Sequence, residues 1–188
     1  MHGGGLSACD NPRMKPFLIL SHGLESGPEA TKVSALAKAA EALGLRSVRP
    51  DYRDLDARRD VRDIDARIAR LQSHAPADVP VVLAGSSMGA FTSALASTGL
   101  NCVGLFLIAL PVAIPGYARP FAAAAVPTAL VHGWGDEVCP VDAAIAFARS
   151  RGDAITLLND DHRLGNHVDF IAEQFRLFLA QFDQGQSA

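Results

Sequence analysis

Short apolar segments of strand length alternate along the chain with segments that have the periodicity of helices. The sequence predicts six strands, at 16–22, 45–51, 79–85, 103–110, 127–134 and 154–160. It predicts helices at 28–44, 60–72, 88–98, 141–150 and 167–182. Repeated strand–helix–strand units require right-handed crossovers, which place the strands parallel with helices on both faces of the sheet. We therefore expect a single α/β domain over residues 16–183, built on a parallel sheet of about six strands.

The helix predicted at 60–72 has a clear apolar side. Its apolar residues fall on one stripe, formed by Val61, Ile64, Ile68 and Leu71. Asp63 and Arg67 are four residues apart, which is the spacing of an ion pair on a helix surface. We expect this pair to face solvent.

Charge and cysteine content narrow the classes of function. The net charge is −3 and no basic cluster is visible, which disfavours nucleic acid as a partner. Apolar runs fall well short of the ~20 residues that a membrane-spanning helix needs, so no membrane partner is expected. The three cysteines, Cys9, Cys102 and Cys139, have no close pairing or metal-site spacing. They are expected to be reduced thiols in a cytoplasmic protein.

The two ends of the chain differ in composition from the rest. Residues 1–15 are polar and glycine-rich and lack the apolar core of a signal peptide, so they predict a flexible leader. Residues 184–188 predict a flexible tail. The sequence leaves the oligomeric state open, and a homodimer is compatible with it.

A glycine on each side of a serine pair follows the strand predicted at 79–85. The segment Gly85-Ser86-Ser87-Met88-Gly89 fits the pattern G-x-S-x-G, with Ser87 in the central place between a strand and a helix. Such a turn is sharp, and side chains at the two flanking positions would collide with it. An ordinary Gly/Ser turn is the alternative. The strand before and the helix after favour a nucleophile elbow that exposes the Ser87 hydroxyl at the carboxyl end of the sheet.

A serine needs a positioned base to act as a nucleophile, and the base needs an orienting acid. Asp136 follows the strand predicted at 127–134, and His162 follows the last strand. Both are therefore expected at the same edge of the sheet as Ser87. Asp136 has an alternative role as a turn residue, and Asp142 and His167 are rivals for the acid and the base. The rivals lie near predicted helix starts, where a capping role suits them better.

Two backbone amides are candidates for binding an oxyanion. The amide of Met88 opens the helix after the nucleophile, and the helix dipole points its positive end at the same place. The second candidate is the amide of Leu24, since His22-Gly23 ends the first strand beside the elbow and Gly23 permits a tight turn.

These motifs together resemble the α/β-hydrolase superfamily over residues 16–182. The matching segments are "SHGLESGP", "RPDYRD", "GSSMGAF", "HGWGDEVCPVD" and "NDDHRL", in the superfamily's order. The resemblance implies a triad of Ser87, Asp136 and His162, with oxyanion donors at Leu24 and Met88 and no metal or cofactor. Substrate contacts are expected from His22, Gly23, Pro111 and Tyr117.

The resemblance also implies a lidless member of the superfamily. Residues 111–126 lie where larger members carry a lid domain, and they number only 16. We therefore expect a serine hydrolase that cleaves short acyl esters or thioesters of small molecules through an acyl-enzyme. Two alternatives stay open: cleavage of an amide or peptide by the same triad, and a catalytically idle binding protein of this fold.

Overall fold

The computed structural model describes residues 14–61 and 63–182. Six strands form one sheet in the order β2-β1-β3-β4-β5-β6, and every neighbouring pair is parallel. The strands are β1 (Phe17–Ser21), β2 (Ser47–Val48), β3 (Val81–Ser86), β4 (Cys102–Ile108), β5 (Thr128–Gly133) and β6 (Ala154–Leu158). The predicted parallel α/β fold is confirmed. The prediction for the second strand, 45–51, was too long, because this edge strand pairs over two residues only.

Six α-helices connect and cover the strands. They are α1 (Thr31–Ala42), α2 (Arg53–Asp56), α3 (Asp63–Ser73), α4 (Met88–Ser97), α5 (Val141–Arg151) and α6 (Val168–Ala180). A short 3₁₀ turn, Gly165–His167, precedes α6. The sequence did not predict α2, whose single turn is too short to show a periodic pattern. Within the described ranges, none of these helices has the length and apolar character needed to cross a bilayer.

The four inner strands, β1, β3, β4 and β5, are buried on both faces of the sheet, which explains why they have continuous apolar sequences. On β1, Ile19 faces one core, with α3, α4 and α5, whereas Leu18 and Leu20 face the other, with α1 and α6. The central helix α4 is buried along its whole length. The small residues of this helix allow it to pack closely between the sheet and its neighbours.

Arg67 departs from its predicted place. The side chain was expected on the solvent side of α3, but it is only 1% exposed and pairs with Asp56, at the end of α2. Asp63 instead approaches Arg58, with 3.5 Å between the charged atoms. A buried arginine is tolerated when its charge is paired, and the unpredicted helix α2 supplies the carboxylate.

The predicted leader and tail are largely untested by the fold. Residues 1–13 and 183–188 lie outside the described residues. The structure begins with Met14, which is exposed, and ends with Phe182, which packs on the α6 side of the sheet.

The core under α6 yields a stability prediction. Phe175 is fully buried, with its ring centroid 5.0 Å from that of Phe106, whereas Leu177 on the same helix is 52% exposed. Phe175→Ala is expected to lower the free energy of unfolding by roughly 3–5 kcal/mol, because it removes a packed ring and leaves a cavity. Leu177→Ala, the matched control, should change it by less than about 0.5 kcal/mol. Urea unfolding curves measure both; similar losses would contradict the burial described for α6.

Candidate active site

Ser87 occupies a strained backbone position between β3 and α4. Its φ of 54° and ψ of −122° lie outside the regions that non-glycine residues favour. A residue is held in such a conformation only where the surrounding structure determines it, and such residues concentrate at functional sites. The Ser87 amide donates to the Ile108 carbonyl at the end of β4, at 2.9 Å, and this bond fixes the turn to the sheet.

The two glycines of the turn are required by close backbone contacts. A Cβ atom at Gly85 would lie 2.3 Å from the carbonyl carbon and oxygen of Gly89. A Cβ atom at Gly89 would lie 2.1 Å from the Ser21 carbonyl oxygen at the end of β1. These distances are far below contact distance, and the obstructing atoms belong to the backbone. The first turn of α4 can therefore seat against β1 and β3 only if both positions are glycine.

Three side chains from three loops meet beside this turn. The His162 Nε2 atom lies 3.0 Å from the Ser87 Oγ, and its Nδ1 lies 2.8 Å from the Asp136 Oδ2. An imidazole that donates from Nδ1 to a carboxylate leaves Nε2 free to accept the serine proton. The arrangement can therefore remove a proton from the Ser87 hydroxyl and hold the resulting imidazolium against a buried carboxylate.

Asp136 is held rigidly by its own loop. Its Oδ1 accepts hydrogen bonds from the amides of Val138, at 3.0 Å, and Cys139, at 2.7 Å. The buried ring of His132 lies 3.1 Å from Oδ2 through its Nε2, which also lies 2.8 Å from the Cys139 carbonyl oxygen. Asp136 therefore stabilises its own turn through Oδ1 and contacts His162 through Oδ2.

The rival residues lie elsewhere. His167 hydrogen-bonds to Asp160, with 2.8 Å between Nδ1 and Oδ2, and it is the N-cap residue of α6. Asp142 lies in the first turn of α5. Both residues therefore lie at helix starts, but neither side chain makes a capping hydrogen bond, and the N-cap residue of α5 is Pro140.

The loop after β1 lies directly against the elbow. A Cβ atom at Gly23 would lie 3.3 Å from the Ser86 carbonyl oxygen and 3.4 Å from the Ser87 Cβ. Leu24 follows, and its side chain is half exposed at the rim of the site. Met88 begins α4, where backbone amides have no partner within the helix. Met88 thus follows Ser87 in the chain, and Leu24 lines a cavity that contains Ser87; their role as oxyanion donors stays a prediction.

His22 has its ring nitrogens occupied by backbone groups. Its Nδ1 donates to the Gly23 carbonyl at 2.7 Å, and its Nε2 accepts from the Tyr52 amide at 3.1 Å. Burial lowers the pKa of His22, which favours the neutral ring that this pair of bonds requires. His22 therefore fixes the loop that carries Gly23 and Leu24. It also lines a cavity that contains Ser87, and its contact with substrate stays a prediction.

Two cavities open beside the nucleophile. One, of about 730 Å³, contains Ser87 and His162 and is bordered by Gly23, Leu24 and Val138. The other, of about 1010 Å³, is lined by Leu24, Met88 and Ile114 of the segment 111–126, whereas Ser87 and His162 do not line it.

Pro111 and Tyr117 are not among the residues that line either cavity. The Tyr117 hydroxyl donates to Asp65, and its ring packs edge-on against Phe91. Their predicted role in substrate binding is therefore not supported by their positions. The residues of this segment that line the larger cavity are Ile114 and Pro115.

Sequence reasoning missed one residue at the site. The Cys139 thiol lies beside Asp136 and His162, with its sulfur within 4.8 Å of a side-chain atom of each. Burial, together with the charge of Asp136, raises the pKa of Cys139 to about 11, so the thiol is protonated at neutral pH and is a poor nucleophile. The sequence signal that could have placed Cys139 at the site is its position three residues after Asp136, in "GDEVCP".

Cys139, Asp136 and His162 also form the one group of possible metal ligands close together in the described residues. Their ligating atoms lie within 4.8 Å of one another. However, the Asp136–His162 hydrogen bond already occupies two of these atoms, and the thiol carries its proton.

No protein-family model matches the chain, and no curated protein sequence matches it. Among solved structures, a protein of Xanthomonas campestris pv. campestris assigned to the α/β superfamily of hydrolases is 43% identical in sequence, with a TM-score of 0.84. The alignment covers 88% of this chain and 99% of that one. The chain belongs to the α/β-hydrolase superfamily.

More distant structures show the same fold as this α/β hydrolase. A serine hydrolase homologue from Coxiella burnetii is 24% identical, with a TM-score of 0.67 and coverage of 88% of this chain and 85% of that one. A serine hydrolase without a lid from Xanthomonas campestris is 20% identical, with a TM-score of 0.64 and coverage of 97% and 88%. The fold of this hydrolase is thus found in a structure that has no lid.

The elbow contacts lead to a prediction for this α/β hydrolase. Gly89→Ala is expected to destabilise the fold by several kcal/mol, because the new methyl group meets the Ser21 carbonyl and backbone must move. The fraction of the Gly89→Ala variant that does fold should hydrolyse an ester far more slowly than the wild type. Gly99→Ala, just beyond the other end of α4, is the control, since there the methyl group meets only the flexible end of Gln72. Thermal unfolding and hydrolysis of p-nitrophenyl acetate measure the two effects; a fully stable and active Gly89→Ala protein would contradict the described packing.

Proposed function

We propose that the protein is a serine hydrolase that cleaves a small acyl ester or thioester by way of an acyl-enzyme. The observation that carries the proposal is the continuous chain of contacts from Ser87 through His162 to the buried Asp136, with separations of 3.0 and 2.8 Å. In this chain of contacts, each residue has the partner that its role requires.

In the first half of the reaction, the Ser87 Oγ attacks the carbonyl carbon of the substrate. His162 accepts the hydroxyl proton at Nε2 as the new carbon–oxygen bond forms. The negative charge that develops on the carbonyl oxygen is stabilised by the amides of Leu24 and Met88. His162 then gives the proton to the leaving alcohol or thiol, and the acyl group stays on Ser87.

In the second half, water replaces the leaving group. His162 takes a proton from the water molecule, which attacks the acyl carbon and forms a second tetrahedral intermediate. Its collapse releases a carboxylic acid and returns the proton to Ser87. Asp136 holds the ring in one tautomer throughout, because its Oδ2 faces Nδ1.

The two cavities suggest where the substrate lies. Leu24 lines both of them. We assign the acyl and leaving groups to these two spaces. The segment 111–126 adds the apolar side chain of Ile114 to the larger cavity, so a compact hydrophobic group has a surface to contact there.

The first test concerns the nucleophile. A fluorophosphonate probe should label the wild-type protein, and Ser87→Ala should abolish the labelling, because the probe reacts only with an activated hydroxyl. Ser86→Ala is the matched control. Ser86 is the buried last residue of β3 and should be dispensable for labelling. Intact-protein mass spectrometry detects the adduct, and an adduct on Ser87→Ala would rule out the assignment.

The second test concerns the base. His162→Ala should lower kcat for p-nitrophenyl acetate by about 10³-fold or more, as expected for loss of a triad member. His167→Ala should retain most of the activity, since that ring bonds to Asp160 at the start of α6. Steady-state kinetics at neutral pH compares the two. A mild effect of His162→Ala with a severe effect of His167→Ala would overturn the proposed roles.

A further inference from the structure

Arg67 is the largest fully buried side chain in the described part of the protein. It lies on α3, and the mechanism above assigns it no role. Such a group must be held by specific partners, because an unmatched buried charge is very costly. Its partners therefore show what the residue is for.

The guanidinium group joins three elements. Its Nη2 donates to the His22 carbonyl oxygen at 2.6 Å, and its Nη1 donates to the Asp56 carboxylate. The guanidinium carbon lies 4.1 Å from the centre of the Tyr52 ring, close enough for a cation–π contact. Arg67 thus connects α3 and the end of α2 to the loop that follows β1.

The carbonyl that Arg67 holds lies at the elbow itself. A Cβ atom at Gly89 would lie 2.6 Å from the His22 oxygen, so this oxygen borders the first turn of α4. His22 also anchors the loop through its ring, which bonds to the Gly23 carbonyl and the Tyr52 amide. One carbonyl is therefore placed between a buried cation and the helix that carries the nucleophile.

The orientation of this carbonyl is passed along the loop. A peptide group is planar, so fixing the His22 oxygen also fixes the direction of the Gly23 amide. The Leu24 amide is one peptide further on. The Leu24 amide shares its peptide plane with the Gly23 carbonyl, which accepts from the His22 Nδ1 at 2.7 Å. Because glycine at position 23 leaves the rotation between the two planes permissive, both planes must be held to aim the Leu24 amide, and Arg67 holds the first through the His22 carbonyl.

We propose that Arg67 is a positioning residue for the oxyanion site: its bond to the His22 carbonyl sets the direction of the Leu24 amide relative to Ser87. This inference rests on the proposed function. An arginine suits the task better than a lysine, because its planar fork serves the carbonyl and the Asp56 carboxylate simultaneously from fixed directions. An ammonium group is a single point and cannot reproduce that geometry.

The experiment compares Arg67 with a second arginine that makes the same kinds of contact elsewhere. Arg151 donates to the carbonyls of Ala123 and Ala124, pairs with Asp153 and lies over the Phe147 ring. It is at the end of α5, near the strand starts, which is the edge of the sheet opposite Ser87. The variants are Arg67→Lys with Arg151→Lys, and Arg67→Met/Asp56→Asn with Arg151→Met/Asp153→Asn. Each double variant removes both charges, so no unpaired ion is left buried.

Two kinetic readouts separate positioning from general stability. The first is kcat and KM for p-nitrophenyl acetate. The second is inhibition by phenylboronic acid, to whose boron the Ser87 oxygen adds while its proton passes to His162, giving a tetrahedral anion. Melting temperatures are recorded for all variants, and activities are measured well below them.

Both Arg67 variants are expected to lose roughly 10- to 100-fold in kcat, because small misplacements of reacting groups have effects of this size. KM should change by less than about twofold, and the boronate should bind more weakly by about the same factor as kcat falls. The Arg151 variants should match the wild type in both readouts even if their melting temperatures fall. If the Arg67 double variant does not fold, Arg67→Lys decides the question.

Folded Arg67 variants with wild-type kcat and wild-type boronate affinity would overturn the positioning role. In that case, labelling of the wild type by a fluorophosphonate would leave the proposed function intact. A wild-type protein that is neither labelled nor active would instead overturn the proposed function, and the positioning role with it. A 10- to 100-fold rise in KM with unchanged kcat would assign Arg67 to substrate binding and would also contradict the inference.

Discussion

At the start of α4, three backbone segments approach each other more closely than any side chain would allow. β3 ends at Gly85 and Ser86, the helix begins at Met88 and Gly89, and the end of β1 lies against both. Because these contacts are between main-chain atoms, they determine the position of Ser87 before any side-chain interaction is considered. The strained φ of Ser87 is maintained by the burial of α4 and by the bond from its amide to Ile108. The same contacts bring the loop after β1 within reach of the nucleophile.

Asp136 and His162 are placed by a different kind of constraint from the one that places Ser87. Asp136 and His162 lie on loops after β5 and β6, and hydrogen bonds rather than close packing fix them. The Asp136 carboxylate has no exposed surface and is surrounded by donors from its own loop and from His132. A carboxylate immobilised in this way does not have to reorganise when the neighbouring ring becomes charged. The nucleophile is therefore positioned by sterics and its partners by hydrogen bonding.

Much of this could be read from the sequence, for physical reasons. The alternation of apolar strands with helices reflects a sheet buried on both faces, and the two glycines reflect contacts that no side chain tolerates. The strand ends place Ser87, Asp136 and His162 at one edge of the sheet. The burial of Arg67 could not be read, because its partners Asp56 and His22 are distant in sequence and meet it only in the folded chain. The role of Tyr117 was missed for the same reason, since its contact with Asp65 depends on how the segment 111–126 folds back.

Because α4 is completely buried, substitutions within this helix are poorly tolerated, whereas substitutions at the exposed rim of the site are tolerated more easily. No position of that helix is half exposed, so nearly every substitution there disturbs the seat of Ser87. The rim is different: Leu24 is 51% and Val138 68% exposed, and both border the space above the nucleophile. Evolutionary drift can therefore exchange these side chains without touching the packing that holds Ser87. We therefore expect substitutions at these two loop positions to change substrate preference first, both in evolution and in a laboratory library.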